Sequence, residues 1–127
     1  MVEIGHGEGH FLRALSQARP GRYIGFDPHG QATGSLPGLE FRAALFEPER
    51  HIAELRPHLI ISRHVLEHLS DPLGFLQRMS FAASVTGIRP ALYLEVPCID
   101  RALDSGRTED FYYEHNSHFT TESFSRM

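Results

Sequence analysis

Three groups of residues in this chain have the types and spacing for chemistry. The first is Gly5-His6-Gly7-Glu8-Gly9, glycine at alternate positions directly after the short run Val2-Glu3-Ile4. Without a Cβ, such a loop takes positive φ readily and lets a ligand approach the backbone closely. The second is His64-x-x-Glu67-His68, two imidazoles and a carboxylate able to move protons or hold a metal ion. The third is the stretch from Asp110 to Thr120, in which Tyr112, Tyr113, Glu114, His115 and His118 fall within seven positions. Histidine titrates near neutrality and suits a general base, while a tyrosine hydroxyl or a second histidine can hold a developing oxyanion. Core aromatics and a packed or capping histidine are the plain alternative for the same stretch.

The elements that must position these groups follow from hydrophobic patterning. Val2 to Ile4 reads as a strand, and Phe11, Leu12, Leu15 and Ala18 are spaced for one face of a helix. Strand, glycine loop and helix N-terminus together make a small-molecule cradle at the carboxyl end of a strand. Arg19-Pro20-Gly21 stops the helix, and Arg22 to Asp27 is a second strand ending in a carboxylate. Asp27 lies 18 residues beyond Gly9, a distance from which an acid in such sheets reaches ribose hydroxyls. Asp27 also begins the turn Asp27-Pro28-His29-Gly30, which is its purely structural reading.

A polar connection from Gln31 to Gly38 leads to a third strand, Leu39 to Phe46, and a short helix, Pro48 to Leu55. Arg56-Pro57 breaks that helix. His58 to Ser62 is apolar without alternation, as a parallel strand covered on both faces should be. A helix from about Leu73 to Ser84 is capped by Asp71, admits Pro72 in its first turn and closes at Gly87. Ala91 to Pro97 is a fifth strand, and Thr120-Thr121 starts a last short helix. Alternating strands and helices predict an α/β fold, a Rossmann-like, doubly wound, mainly parallel sheet of about five strands.

The totals narrow the classes. The chain has 127 residues, enough for one domain spanning 1–127, and a net charge of −4. Its 12 basic residues are all arginine and are scattered, so there is neither a nucleic-acid stripe nor a membrane-binding face. The single cysteine, Cys98, excludes an internal disulfide framework. No 18-residue apolar run appears, and a soluble cytoplasmic protein is expected. His6, His10, His29, His51 and His58 read as polar surface or loop residues, with His6 held open because it lies inside the glycine loop.

The dinucleotide fingerprint G-x-G-x-x-G does not fit the loop. Its third glycine comes one residue early, His10 stands in the last position, and Glu8 would meet a pyrophosphate. A nicotinamide dehydrogenase is therefore disfavoured. Glu3-x-Gly5-x-Gly7-x-Gly9 instead resembles motif I of the class I S-adenosylmethionine-dependent methyltransferases. The acid-ended second strand, the fourth strand leading into Val65-Leu66-Glu67-His68, and the fifth strand follow in that family's order over residues 2 to 97. The resemblance implies S-adenosylmethionine as cofactor, held by Glu3, Gly5, His6, Gly7, Gly9 and Asp27. It implies that the region around Leu45-Phe46 faces the adenine, and that the segment from Arg63 and His64 onward runs beside the methionine end. His64-x-x-Glu67-His68 also matches a zinc-protease pattern, but it sits directly after a buried strand and no third ligand from a downstream helix is evident, so no metal site is expected.

Glu95-Val96-Pro97, then Phe111-Tyr112-Tyr113-Glu114-His115 and Phe119-Thr120, resemble a narrower group, the C-methyltransferases of nucleotide-activated keto-sugars. That resemblance implies that Tyr112, Glu114 and His115 are catalytic, with His115 as general base toward a small-molecule acceptor. The group's cysteine-rich zinc module and a sugar-nucleotide segment have no counterpart here. The wider family has a helix before motif I and two further strands after this point. The expectation is an incomplete seven-stranded sheet whose fifth strand exposes an edge, covered by a second copy or a partner chain. A non-catalytic cofactor-binding or interaction module of the same fold is the alternative.

Overall fold

The computed structural model describes residues 1–32, 36–109 and 111–127. Residues 33–35 of the connection expected after Gln31, and Asp110 at the head of the histidine-rich stretch, lie outside the described residues. Five strands form one parallel sheet in the order β3-β2-β1-β4-β5, with β1 Val2–Ile4, β2 Tyr23–Phe26, β3 Leu39–Arg42, β4 Leu59–Arg63 and β5 Ala91–Glu95. The helices are α1 His10–Ala18, α2 Pro48–Leu55, α3 Pro72–Thr86, α4 Asp100–Ser105 and α5 Thr121–Ser125. A single 3-10 turn, Leu66–His68, follows β4. The sheet direction reverses its order of winding at β1, between β2 and β4. Ligands of open α/β sheets bind at the carboxyl ends of the strands at such a point.

β1 is only three residues long, and all three are buried. Alternation along it decides both faces of the sheet. Val2 and Ile4 join Ile24, Phe26, Phe46, Ile52, Ile60, Met79 and Ala82 in the larger core, where α2 packs against α3. The other face carries Leu12 of α1 against Tyr23 and Leu39, with Leu15 and Phe41 at its margin. β4 is buried on both faces through Ile60 and Ile61, matching its unbroken apolar sequence. Among the described residues β5 pairs only with β4, and it leaves Ala91, Leu92 and Tyr93 exposed, an open edge.

The termini of α3 follow from its flanking residues. An Asp71 carboxylate oxygen accepts from the Gly74 N–H at 2.8 Å, Pro72 opens the first turn, and Gly87 closes it at φ 68°. Arg78 forks onto both carboxylate oxygens of Glu49 at 2.7 Å each, tying α3 to the first turn of α2. That pair holds the Glu49 carboxyl down to about 2. α5 begins with a reciprocal cap, Thr120 Oγ1 accepting from the Ser123 N–H and Ser123 Oγ accepting from the Thr120 N–H.

Two expectations are corrected. The third strand ends at Arg42, not Phe46: the Ala44 N–H turns back to the Arg42 carbonyl at 2.9 Å, leaving Leu45 outside and returning Phe46 to the core. Pro48 then forces an extended Glu47 before α2. His51 is not a surface residue. It is 5% exposed, its ring lies 4.4 Å from Phe26 and 5.5 Å from Phe46, and its Nδ1 accepts the Glu47 N–H at 2.9 Å.

Burial, with Arg50 nearby, lowers the His51 pKa below its ordinary 6.5. On acidification the unfolded chain therefore binds a proton before the folded one. The stability contribution is complete above about pH 6.5 and is lost as the pH falls from there toward the folded-state value. His51→Gln retains an acceptor for the Glu47 N–H and removes the titration. In chemical denaturation at about pH 7.5 and about pH 5.5, the variant is expected to lose less stability on acidification than the wild type. An equally steep loss in both would contradict this assignment.

Candidate functional site

The glycine loop leaves β1 by extending its ladder one step, the Gly5 N–H donating to the Phe26 carbonyl at 2.8 Å. Gly5, Gly7 and Gly9 all have positive φ, at 79°, 52° and 75°, and Gly9 is the N-cap of α1. At Gly5 glycine is required by space as well as by φ: a methyl group there would meet Val65 Cγ2 at 2.3 Å. The loop is laced to the turn after β2. The Gly7 N–H donates to Asp27 Oδ2 at 2.9 Å, and the Gly7 carbonyl accepts the Gln31 N–H at 3.1 Å. The His29 N–H donates to Asp27 Oδ1 at 2.8 Å. Each Asp27 oxygen keeps a further lone pair, so the carboxylate can still accept hydroxyl groups.

A cavity of about 530 Å³ opens beside this loop. Ile4 and Phe26 line it, Asp27, His29, Leu45 and Phe46 bound it after β2 and β3, and Arg63 at the end of β4 with His64, Val65 and His68 beyond it bound the other side. A depression of about 620 Å³ on the outer side of α3, beside Asp71 and Arg78, gathers no comparable chemistry.

Of the residues expected at the cofactor, Gly5, Gly7, Asp27, Phe46, Arg63 and His64 line the cavity. Glu3, His6 and Gly9 stand behind it. Glu3 is 1% exposed and points to the α1 side, where Arg63 NH2 donates to it at 2.9 Å and the Arg63 guanidinium lies 4.0 Å from the Phe11 ring centre. Burial raises the Glu3 carboxyl pKa, and the Arg63 contact opposes that rise. His6 is a buried plug. Its ring packs 4.9 Å from Phe41 and against Gly25 and Gly30, and its Nδ1 lies 3.0 Å from the Gly7 carbonyl.

The segment after β4 is a tight turn that runs into the 3-10 turn Leu66–His68. His64 takes a left-handed φ of 53°, held by its N–H to the Glu95 carbonyl at 2.9 Å. Its ring bridges Glu95 Oε1 at 3.0 Å and Glu67 Oε1 at 3.5 Å. Strained backbone of this kind collects at functional sites.

The stretch after β5 docks on this turn. The Ser117 N–H donates to the Glu67 carbonyl at 3.1 Å, Asn116 Nδ2 donates to the His68 carbonyl at 2.6 Å, and His68 Nδ1 lies 3.2 Å from the Glu114 carbonyl. The His115 ring is 4.9 Å from His68, 5.3 Å from Tyr112 and 5.7 Å from His118. His115 is half-buried and Tyr112 exposed. Glu114 contributes its carbonyl here, and the residue is exposed. Of the three residues expected to be catalytic, His115 reaches His68 by its ring, Glu114 by its carbonyl, and Tyr112 touches His115 instead; none of the three lines the cavity, whose wall includes His68. His29, Leu69 and Phe75 also line the cavity, and no sequence pattern singles them out.

A parallel α/β sheet with a glycine loop, an acid and an apolar cavity at its point of reversal is a Rossmann-like fold. A family model described as a methyltransferase domain matches residues 1–127, and the chain belongs to that family. Comparison with curated proteins and with solved structures found no significant match. Among the described residues no helix is long and apolar enough to cross a membrane.

The loop geometry separates two glycines that look alike in sequence. Alanine at Gly7 would have open space around it and meets only the left-handed backbone penalty, about 1 kcal/mol. Alanine at Gly5 adds the clash with Val65, for a total of about 2–4 kcal/mol. Urea denaturation of Gly5→Ala and Gly7→Ala measures the difference; equal costs would contradict the packing of the loop against Val65.

Proposed function

We propose that the chain is an S-adenosylmethionine-dependent methyltransferase acting on a small-molecule acceptor, with His115 as the general base. The observation that carries this reading is the cavity, with Asp27 on its β2 side and His68 on its β4 side; the His115 ring, outside the lining, lies 4.9 Å from His68. The residues fit the cofactor. The two free lone pairs of Asp27 suit a pair of ribose hydroxyls, Leu45 and Phe46 offer an apolar wall for the adenine, and the backbone of Gly5 and Gly7 allows close approach. Arg63, His64 and Val65 would border the methionine end.

When bound, the cofactor supplies an electrophilic methyl group; the chain's residues supply alignment and a proton acceptor. His115 takes a proton from the acceptor atom on an imidazole nitrogen, as a general base. The Tyr112 hydroxyl or His118 steadies the oxyanion left behind. An acidic carbon beside a carbonyl, as in a nucleotide-activated keto-sugar, is the acceptor class that most needs such a base. Alignment of acceptor and methyl then supplies much of the rate.

Calorimetric titration of S-adenosylhomocysteine into the purified chain tests the cofactor site. Asp27→Ala is expected to weaken binding by more than about tenfold, the loss of hydrogen bonds to a charged group. His115→Ala is expected to keep that affinity and to lower methyl transfer to an enolisable acceptor by about 10²–10⁴. A folded wild-type chain that fails to bind would contradict the cofactor site, and an unimpaired His115→Ala enzyme would contradict the base.

A further inference from the structure

We propose that Glu67, His68 and His115 form a binding site for a divalent transition-metal ion, beside the β4 side of the cavity. One ligand atom from each residue lies within 4.8 Å of the others. An ion bound at about 2.0–2.2 Å draws its ligands to roughly 3–4 Å of one another. The remaining closure is small, and the half-buried His115 ring on its surface turn can supply it by rotation.

Two further observations point to an ion. Glu67 is 1% exposed, and its Oε2 is buried without a hydrogen-bond partner, while Oε1 faces the His64 ring at 3.5 Å. An interior carboxylate oxygen left bare is costly unless a cation or donor meets it. His68 Nδ1 is turned to the Glu114 carbonyl at 3.2 Å, which as an N–H bond fixes the tautomer and leaves Nε2 with its lone pair free. A ligating histidine is oriented in this way by its other nitrogen.

Two imidazoles and one carboxylate favour Zn²⁺, Co²⁺, Fe²⁺ or Mn²⁺ over Mg²⁺ or Ca²⁺, which prefer all-oxygen shells. Three protein ligands leave open positions for water or for an oxygen of a small molecule. Ligation uses the lone pair with which His115 would accept a proton, so the loaded site is not a free base. The inference itself does not rest on methyl transfer.

The test uses the full chain, freed of metal with a chelator and titrated with Co²⁺. The expected result is one equivalent bound with visible d–d bands. Affinity should fall by more than about tenfold in His68→Ala and in His115→Ala. It should be unchanged in His10→Ala, which removes the exposed His10–Glu8 pair, a rival histidine–carboxylate contact at 2.7 Å. His115→Ala alters a surface turn, and circular dichroism on the same samples checks its fold. The absence of d–d bands in the wild type overturns the proposal. So does a folded His115→Ala chain that binds Co²⁺ as the wild type does, or loss of binding in His10→Ala. S-adenosylhomocysteine binding by the metal-free chain is read separately, so failure of the metal site and failure of the cofactor site are told apart.

Discussion

The structure depends on a buried charge. β1 carries a glutamate between two apolar residues, and the fold places Glu3 in the interior, where Arg63 from the end of β4 donates to it and His6 lies near enough to act on its charge. Slipping β1 by one residue would turn that carboxylate onto the face where Val2 and Ile4 pack against the larger core. The ion pair therefore reinforces the register in which Val2 and Ile4 pack into the larger core. Removing Arg63 would leave the interior Glu3 carboxylate uncompensated, the expensive case, whereas Arg63 itself is partly exposed. Phe11 covers the Arg63 guanidinium and so brings α1 into the same arrangement.

The site follows from that register. With β1 fixed between β2 and β4, the loop leaving it must pass between the Asp27 turn and Val65. Glycine is the residue that fits that passage. Asp27 then has two tasks, to anchor the Gly7 N–H and the His29 N–H and to present its remaining lone pairs to the cavity. On the other side, the 3-10 turn after β4 supplies docking points for the stretch that carries His115. Residues more than 40 positions apart, such as His68 and His115, meet because two loops leave neighbouring parallel strands at the same edge of the sheet.

The sheet, the glycine loop and the cap of α3 were legible because each rests on a local rule. Apolar runs mark buried strands, alternate glycines mark a positive-φ turn, and Asp71-Pro72 marks a helix start. The lining of the cavity was legible only in part. Gly5, Gly7, Asp27 and Phe46 were readable from position at strand ends, whereas Glu3 faces away because strand alternation, not motif spacing, decides its side. His51 read as surface because histidine is usually exposed; its burial depends on Phe26 of β2 and on Phe46 in the connection before α2. The grouping of Glu67, His68 and His115 was not visible at all, since it needs the tertiary contact between two loops.

The most direct test of the central claim, that the cavity beside the glycine loop is the cofactor site, is a map of backbone amide chemical shifts with and without S-adenosylhomocysteine. The account predicts changes concentrated at Gly5 to Gly9, at Asp27 to Gln31, at Leu45 and Phe46, and from Arg63 to Leu69, with the outer face of α3 unaffected. Changes centred on α3 or on the β5 edge, or none from a folded chain at saturating ligand, would contradict it.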